Sequence, residues 1–357
     1  MGGVIKTEIV LYLKTKQGPK NITQDLSSYL ESIRYTDKLE DQVDELEITL
    51  NNQTGIWSGA WLPTKGDQLK AAFKTGDINS SKKDFLLCGT FNIDTLEVSS
   101  PPSIFKIKAL AVPFGSEMRR TKKNKAWEEV TLFDIAAAIC TDGGVKLKFD
   151  TKKNPFYKRQ DQKRESNTEF LQRLCKESSL AMKLTATELH IFSRDEKEQL
   201  PAIREIKITK YPAKATGAVI SYSLQTQLSD SAKSCKVSYY DPVSGEKNEA
   251  TAEDKNADKK AQKIKLVKRA TSKAEAKRLA EAELKKRNQK GKSGTLRLIG
   301  DVSLYAGQNI YLTSSFGGFA GKYTIEESSH QLTNNGYTTQ IRITNTEPAR
   351  KDSKKKK

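Results

Sequence analysis

Alternation of apolar and polar residues with period two dominates both ends of the chain. Asp44-Glu45-Leu46-Glu47-Ile48-Thr49-Leu50 alternates strictly, and Leu69, Ala71 and Phe73 do the same against Lys70, Ala72 and Lys74. This is the pattern of a strand that buries one face. Phe85, Leu87, Gly89, Phe91 and Ile93 fall on one face of a further strand, and Pro101-Pro102 interrupts the chain before a strand resumes over 104–111. Turns follow from Lys65-Gly66-Asp67 and from the stretch 51–55. Short antiparallel strands punctuated by Gly and Pro predict a small barrel or sandwich over residues 1–112.

The texture then changes. Arg119-Arg120-Thr121-Lys122-Lys123 reads as a basic linker. Thr131 can cap a helix with Ile135, Ala136 and Ile139 on its apolar face, which Gly143-Gly144 stops. Ser166-Asn167-Thr168-Glu169 is a capping box that opens a second helix, with Phe170, Leu171, Leu174 and Cys175 as its buried stripe. A hairpin is predicted around Thr185-Ala186-Thr187, so 113–202 reads as a small α+β module. Strands return over 203–240, and a polar insertion, 241–290, ends in a charged helix. Ser272 and Glu275 would cap that helix, and Ala276, Leu279, Ala280 and Leu284 form its apolar stripe. Strands resume at Leu296, and Asn335-Gly336 predicts a two-residue type I′ hairpin.

One short motif occurs twice. Gly66-Asp67-Gln68-Leu69 precedes Gly89-Thr90-Phe91-Asn92-Ile93-Asp94, and Gly307-Gln308-Asn309-Ile310 precedes Gly321-Lys322-Tyr323-Thr324-Ile325-Glu326. A Gly turn feeding an alternating strand, repeated in the same order, is the mark of two related β-domains. Chance is the other source, because any turn that needs positive φ calls for Gly.

Composition narrows the function classes. The 357 residues allow two to four domains, and 36% hydrophobic content describes a surface-rich protein with no apolar run near the roughly 20 residues of a membrane span. Met1-Gly2-Gly3-Val4-Ile5-Lys6 lacks signal-peptide character, so cytoplasmic synthesis is expected. Cys88, Cys140, Cys175 and Cys235 are scattered, which predicts buried free thiols in place of disulfides or a zinc site. The net charge of +18 is spread among acids except at 346–357, a basic tail expected to be disordered.

The residues of catalysis are not visible. His190 and His330 each lie in strand-like runs, and no metal-binding or nucleophile motif accompanies them. Gly291-Lys292-Ser293 ends like a phosphate loop, but Lys286 stands where that loop needs Gly, and the order is helix then strand. No catalytic, cofactor-binding or metal residue is assigned, and the chain reads as non-enzymatic. Two alternatives remain. A nucleic-acid-binding protein would show a basic face with interleaved aromatics, whereas the charge here is dispersed and aromatics are 8%. A cell-wall hydrolase would need paired carboxylates in a cleft.

Several segments, in order along the chain, carry a resemblance. Trp127 with Leu132-Phe133-Asp134-Ile135-Ala136, the helix Ser166 to Cys175, Val237-Ser238-Tyr239-Tyr240-Asp241-Pro242, Gly300-Asp301, Ala306-Gly307, Gly321-Lys322-Tyr323, His330 and Gly336-Tyr337-Thr338-Thr339 resemble the phage late control protein D family. These are baseplate hub proteins of contractile phage tails and related injection systems. The resemblance implies a mainly β, α+β fold with two similar antiparallel β-barrel tube domains, 1–112 and 203–240 plus 291–345. The module 113–202 lies between them, and 241–290 interrupts the second. It implies no cofactor and a homotrimer that lines an axial channel and joins the sixfold tail tube to the threefold central spike. Its partners would be the tube or tube-initiator protein, the spike and other baseplate proteins, with DNA or effector only as passing cargo and no membrane binding. Location in a phage tail or tail-like particle follows, with spike and hydrolase expected as separate chains.

Overall fold

In the computed structural model the described residues are 5–15, 18–77, 83–113, 117–209, 216–226, 232–240, 247–254, 262–267, 273–288 and 292–346. The first segment comprises β1 (Ile5–Thr15), β2 (Gly18–Asn21), α1 (Thr23–Ser27), β3 (Leu30–Lys38), β4 (Glu45–Asn51), β5 (Gln68–Asp77), β6 (Asp84–Ser99) and β7 (Ile104–Leu110). The alternation that marked β4 is realised, with Leu46, Ile48 and Leu50 fully buried between exposed or half-buried neighbours. Leu69, Ala71 and Phe73 of β5 face the same core. The assignment of one face to β6 is corrected. Gly89, at φ +99, sits where the pairing with β5 shifts register, and this bulge inverts the side-chain phase. Leu86 and Cys88 therefore point inward before the bulge and Phe91 after it, while Phe85 and Leu87 are 54% and 78% exposed.

The intervening module holds α2 (Glu117–Arg120), β8 (Lys122–Thr131), α3 (Leu132–Gly143), β9 (Lys146–Asp150), β10 (Phe156–Ser166), α4 (Asn167–Glu177), β11 (Ala181–Leu184), β12 (Glu188–Phe192) and α5 (Arg194–Gln199). Both capping boxes form, at Thr131 with Asp134 and at Ser166 with Glu169, and Gly144 closes α3 at φ +64. Residues 119–123 are not a linker. Arg119 and Arg120 end α2, whose Met118 is buried in the module core, and Lys122 and Lys123 begin β8. β8 and β10 make a two-stranded ribbon whose exposed, charged faces give no apolar alternation to read.

The remaining elements are β13 (Arg204–Ile206), β14 (Val219–Thr226), β15 (Ala232–Tyr240), β16 (Lys247–Glu253), β17 (Gln262–Val267), α6 (Lys273–Asn288), β18 (Lys292–Ile299), β19 (Asn309–Leu312), a 3-10 turn at Ser314–Phe319, β20 (Gly321–Thr333) and β21 (Gly336–Asn345). The boundary drawn at 240 moves. β15 pairs with β16 and β17 in a sheet of its own, and its Cys235 and Val237 pack with Ala276, Leu279 and Leu284 of α6. Strand 232–240 thus belongs to the insertion, because its inward residues find their apolar partners there. Ser272 lies outside the described residues. The last hairpin also differs: its turn is Asn334-Asn335, neither with positive φ, and Gly336 follows at φ +113, so it is not the type I′ turn on Asn335-Gly336.

Strand order repeats. In the main sheet β3-β4-β7-β6-β5 are neighbours in one half and β14-β18-β21-β20-β19 in the other, all antiparallel. Atomic details coincide. Thr64 N–H donates to the Asp67 side chain (2.8 Å) and Tyr305 N–H to the Gln308 side chain (3.0 Å). Ile93 N–H donates to the Asp67 carbonyl, and Ile325 N–H to that of Gln308. Gln68 bonds Asn92 across β5 and β6, as Thr324 bonds Asn309 across β20 and β19. The register shift at Ile93/Thr95 matches the one at Ile325/Glu327, and that at Leu30/Ser32 matches Val219/Ser221. The sixth strand breaks the likeness, since β1 is antiparallel to β5 whereas β13 is parallel to β19.

Gly89 (φ +99), at the bulge in β6, and Gly321 (φ +141), at the start of β20, occupy equivalent positions in the repeat, and an added Cβ at either meets nothing within 4 Å. Gly89→Ala and Gly321→Ala should therefore each lose about 1–3 kcal/mol from backbone strain alone. Gly318→Ala, also in open space but without positive φ, should be near neutral. Denaturant unfolding of the three variants checks this.

Candidate assembly interface

The two halves are joined through β20. Its first residues, Gly321–Thr324, pair with β19, and from Glu327 to Thr333 the same edge pairs with β3. His330 lies fully buried in this seam, between the rings of Tyr35 and Tyr337. Its Nε2 is 2.9 Å from the Leu304 carbonyl, which can only accept, so Nε2 carries the proton. Nδ1 then accepts from the Tyr337 hydroxyl at 2.7 Å. Burial depresses the pKa of His330 to about 4, which keeps the ring neutral.

The α+β module grips the seam with two cations. Lys183 of β11 contacts Asp37 of β3 and, at 3.0 Å, Asp44 before β4. Asp37 also accepts from Ala306 N–H of the second half, at 2.8 Å. Burial opposes the charge of Lys183, yet Asp37 and Asp44 outweigh it and hold the ammonium above its ordinary range. Burial likewise pushes the Asp44 carboxyl up to about 6. Arg194, at the start of α5, reaches Glu40 (2.7 Å) of the first half, Glu326 of β20 and Glu198 (2.9 Å) of its own helix. Asn309 bonds the Lys197 and Leu200 carbonyls, and Lys322 bonds that of Glu198, so α5 also holds β19 and β20. Arg194 thus links acids of both halves directly, whereas Lys183 holds two acids of the first half and reaches the second only through Asp37. The inward phase of β3, Ile33, Tyr35 and then Asp37, was the one sequence signal for this cluster. The partners of Asp37 lie more than a hundred residues away and carry no such signal.

No site residues came from sequence. A cleft of about 670 Å³ lies between α4, α6 and the seam, lined by Glu40, Asp41, Glu169, Glu177 and Arg194 among others. Four of its acids are engaged in structure: Glu40 with Arg194, Asp41 with Lys176, Glu169 with the Ser166 cap and Glu177 with Arg173. Among the described residues no group of three or more His, Cys, Asp or Glu is placed to hold a metal ion. His190 is half-buried in β12 with its pKa lowered to about 4 by burial, and all four cysteines are buried thiols outside any disulfide. No helix among the described residues is long and apolar enough to cross a membrane.

The fold is that of known tail proteins. The structure matches a tail protein from Neisseria meningitidis MC58 at TM-score 0.70 and 10% identity, covering 94% of this chain and 96% of that one. It matches the 43 kDa tail protein of prophage MuSo2 from Shewanella oneidensis at TM-score 0.68 and 14% identity, covering 96% and 99%. In sequence, 28% identity over 179 residues relates it to the probable baseplate hub protein of Escherichia phage P2, a match spanning 48% of this chain and 42% of that protein. The phage tail baseplate hub (GPD) family matches residues 107–336, and the chain belongs to that family.

Two outcomes follow from the seam. Arg194→Met strands three partly buried carboxylates and should cost about 3–5 kcal/mol in chemical denaturation, with partial recovery in Arg194→Met/Glu326→Gln. A loss under about 1 kcal/mol would show that the clamp does not hold the halves. Acid should act through His330. An unfolded histidine takes its proton near 6.5 while the buried ring resists until about 4, so its contribution is complete above 6.5 and lost as pH falls through that window. Between pH 7 and 4.5 the native chain should lose about 2.5 kcal/mol more than His330→Gln.

Proposed function

We propose that this chain is a structural subunit of a baseplate hub, acting as a homotrimer that joins a sixfold tail tube to a threefold spike around an axial channel. The observation that carries the reading is the strand order repeated within one polypeptide. A chain with two equivalent halves converts three copies into six similar units, which suits contact with a sixfold ring on one side and a threefold object on the other. In this reading 1–112 is one tube-type barrel, and 203–226 with 292–345 is the other. The module 113–202 and the insertion 232–288, which have no counterpart in each other, lie where only threefold symmetry holds. The neighbours' names as tail proteins and the P2 relative's as a probable baseplate hub support the same assembly. The role assigned is structural and not catalytic, and the tube, spike and other baseplate proteins are its partners.

Light scattering after size exclusion, with negative-stain class averages of the purified chain, tests this. The expected particle has three times the monomer mass and six lobes around a channel. A monomer that persists at high concentration, or a ring of another copy number, would overturn it.

A further inference from the structure

We infer that Asp37, Asp44 and Lys183 form a proton-accepting cluster that offsets the acid sensitivity of His330, so that the seam between the halves keeps its strength in mildly acidic surroundings. The device lies within one chain and is independent of how copies assemble.

The geometry sets one ammonium against two carboxylates. Asp37 and Asp44 are 5% and 4% exposed, and Lys183 is their shared cation. All four carboxylate oxygens are in use. Those of Asp37 accept from Lys183 and from Ala306 N–H, and those of Asp44 accept from Lys183 and, at 2.9 Å, from Lys38 N–H. The cluster is thus net negative and shielded from water. One added proton makes it neutral, and two acids that share a buried site take up that proton more readily than isolated ones. Among the described residues, the titratable groups that also face it are Tyr35 of β3 and Cys88 of β6, both kept neutral by burial, Lys197 of α5 and His330 of β20.

His330 and the cluster grip the same turn of the second half. His330 bonds the Leu304 carbonyl, and Asp37 accepts from Ala306 N–H two residues on. Tyr35, two residues before Asp37 on the inward face of β3, stacks on the His330 ring with centroids 6.3 Å apart. Tyr337, also held neutral by burial, faces His330 from β21.

The two protons act with opposite sign. The Asp44 carboxyl, ordinarily near 3.8, is pushed up to about 6 by burial, so its contribution is complete below 3.8 and lost as pH rises through 6. Acidification from 6 towards 4 therefore strengthens the fold through Asp44. Over the same interval it weakens the fold through His330, which resists its proton until about 4. The windows overlap over about two pH units, and there the effects largely cancel.

The test follows denaturant unfolding of the full chain at pH 7 and pH 4.5 in the native sequence, Asp44→Asn, His330→Gln and the double variant. Acidification should raise the unfolding constant of Asp44→Asn at least about tenfold more than that of the native chain, and that of His330→Gln at least about tenfold less. The double variant should respond as the native chain does, because both titrations are gone. Carboxylates elsewhere contribute alike to all four and drop out of the comparison. An equal acid response in Asp44→Asn and the native chain would overturn the inference. A second readout needs no variant to fold: infrared titration of the native chain labelled with carbon-13 at the aspartate carboxyls. One protonated aspartate band should appear in the folded chain with a midpoint near 6, and Asp44→Asn should lack it. Protonation of every aspartate together below about pH 4.5, or persistence of the band in Asp44→Asn, would equally overturn the cluster's role.

Discussion

A β-strand has two hydrogen-bonding edges, and β20 divides one of them between two partners. Residues Gly321–Thr324 complete the second half by bonding β19, and Glu327–Thr333 bond β3 of the first. The change occurs at Glu326, which the bulge against β21 skips and whose side chain meets Arg194. If β19 were longer it would occupy the edge that β3 needs. The shortness of β19, the bulge and the arginine are thus one device, and the relative position of the halves depends on it.

The α+β module is the fixture for that device. It has its own apolar core, yet Lys183 and Arg194 are spent outside it, on acids of both halves. Desolvating such groups costs several kcal/mol, so their net gain in stability is small even though deleting one partner is expensive. What they supply is position. An apolar contact tolerates sliding, whereas a guanidinium held by three carboxylates does not. What these ion pairs fix is thus the geometry between the two halves more than the stability of the chain.

The repeat also shows how one local structure acquires two fates. Turn, bulge and cross-strand bond are the same at Thr64–Asp67 with Asn92 and at Tyr305–Gln308 with Thr324. Further along, the equivalents Val98 and His330 diverge completely in burial. The second is covered by β3 and carries a polar network with Leu304 and Tyr337; among the described residues no strand pairs with the first on that side.

Sequence alone determined those features that local chemistry controls. The capping boxes at Thr131 and Ser166, the glycine stop at Gly144, the alternation of β4 and β5, and the recurrence of the Gly-turn-strand motif are each set within a few residues, where propensity and periodicity act. The phase of β6 was misread because a bulge at Gly89 changes the parity that period-two reasoning assumes. Strand 232–240 was placed in the wrong sheet because an alternating strand does not encode which sheet will receive it. The charged ribbon of β8 and β10 was invisible for want of apolar residues. The seam cluster of Asp37, Asp44, Lys183, Arg194 and Glu326 was decided only by tertiary structure, since charge pairing over such separations is a property of how strands meet and leaves no local pattern behind.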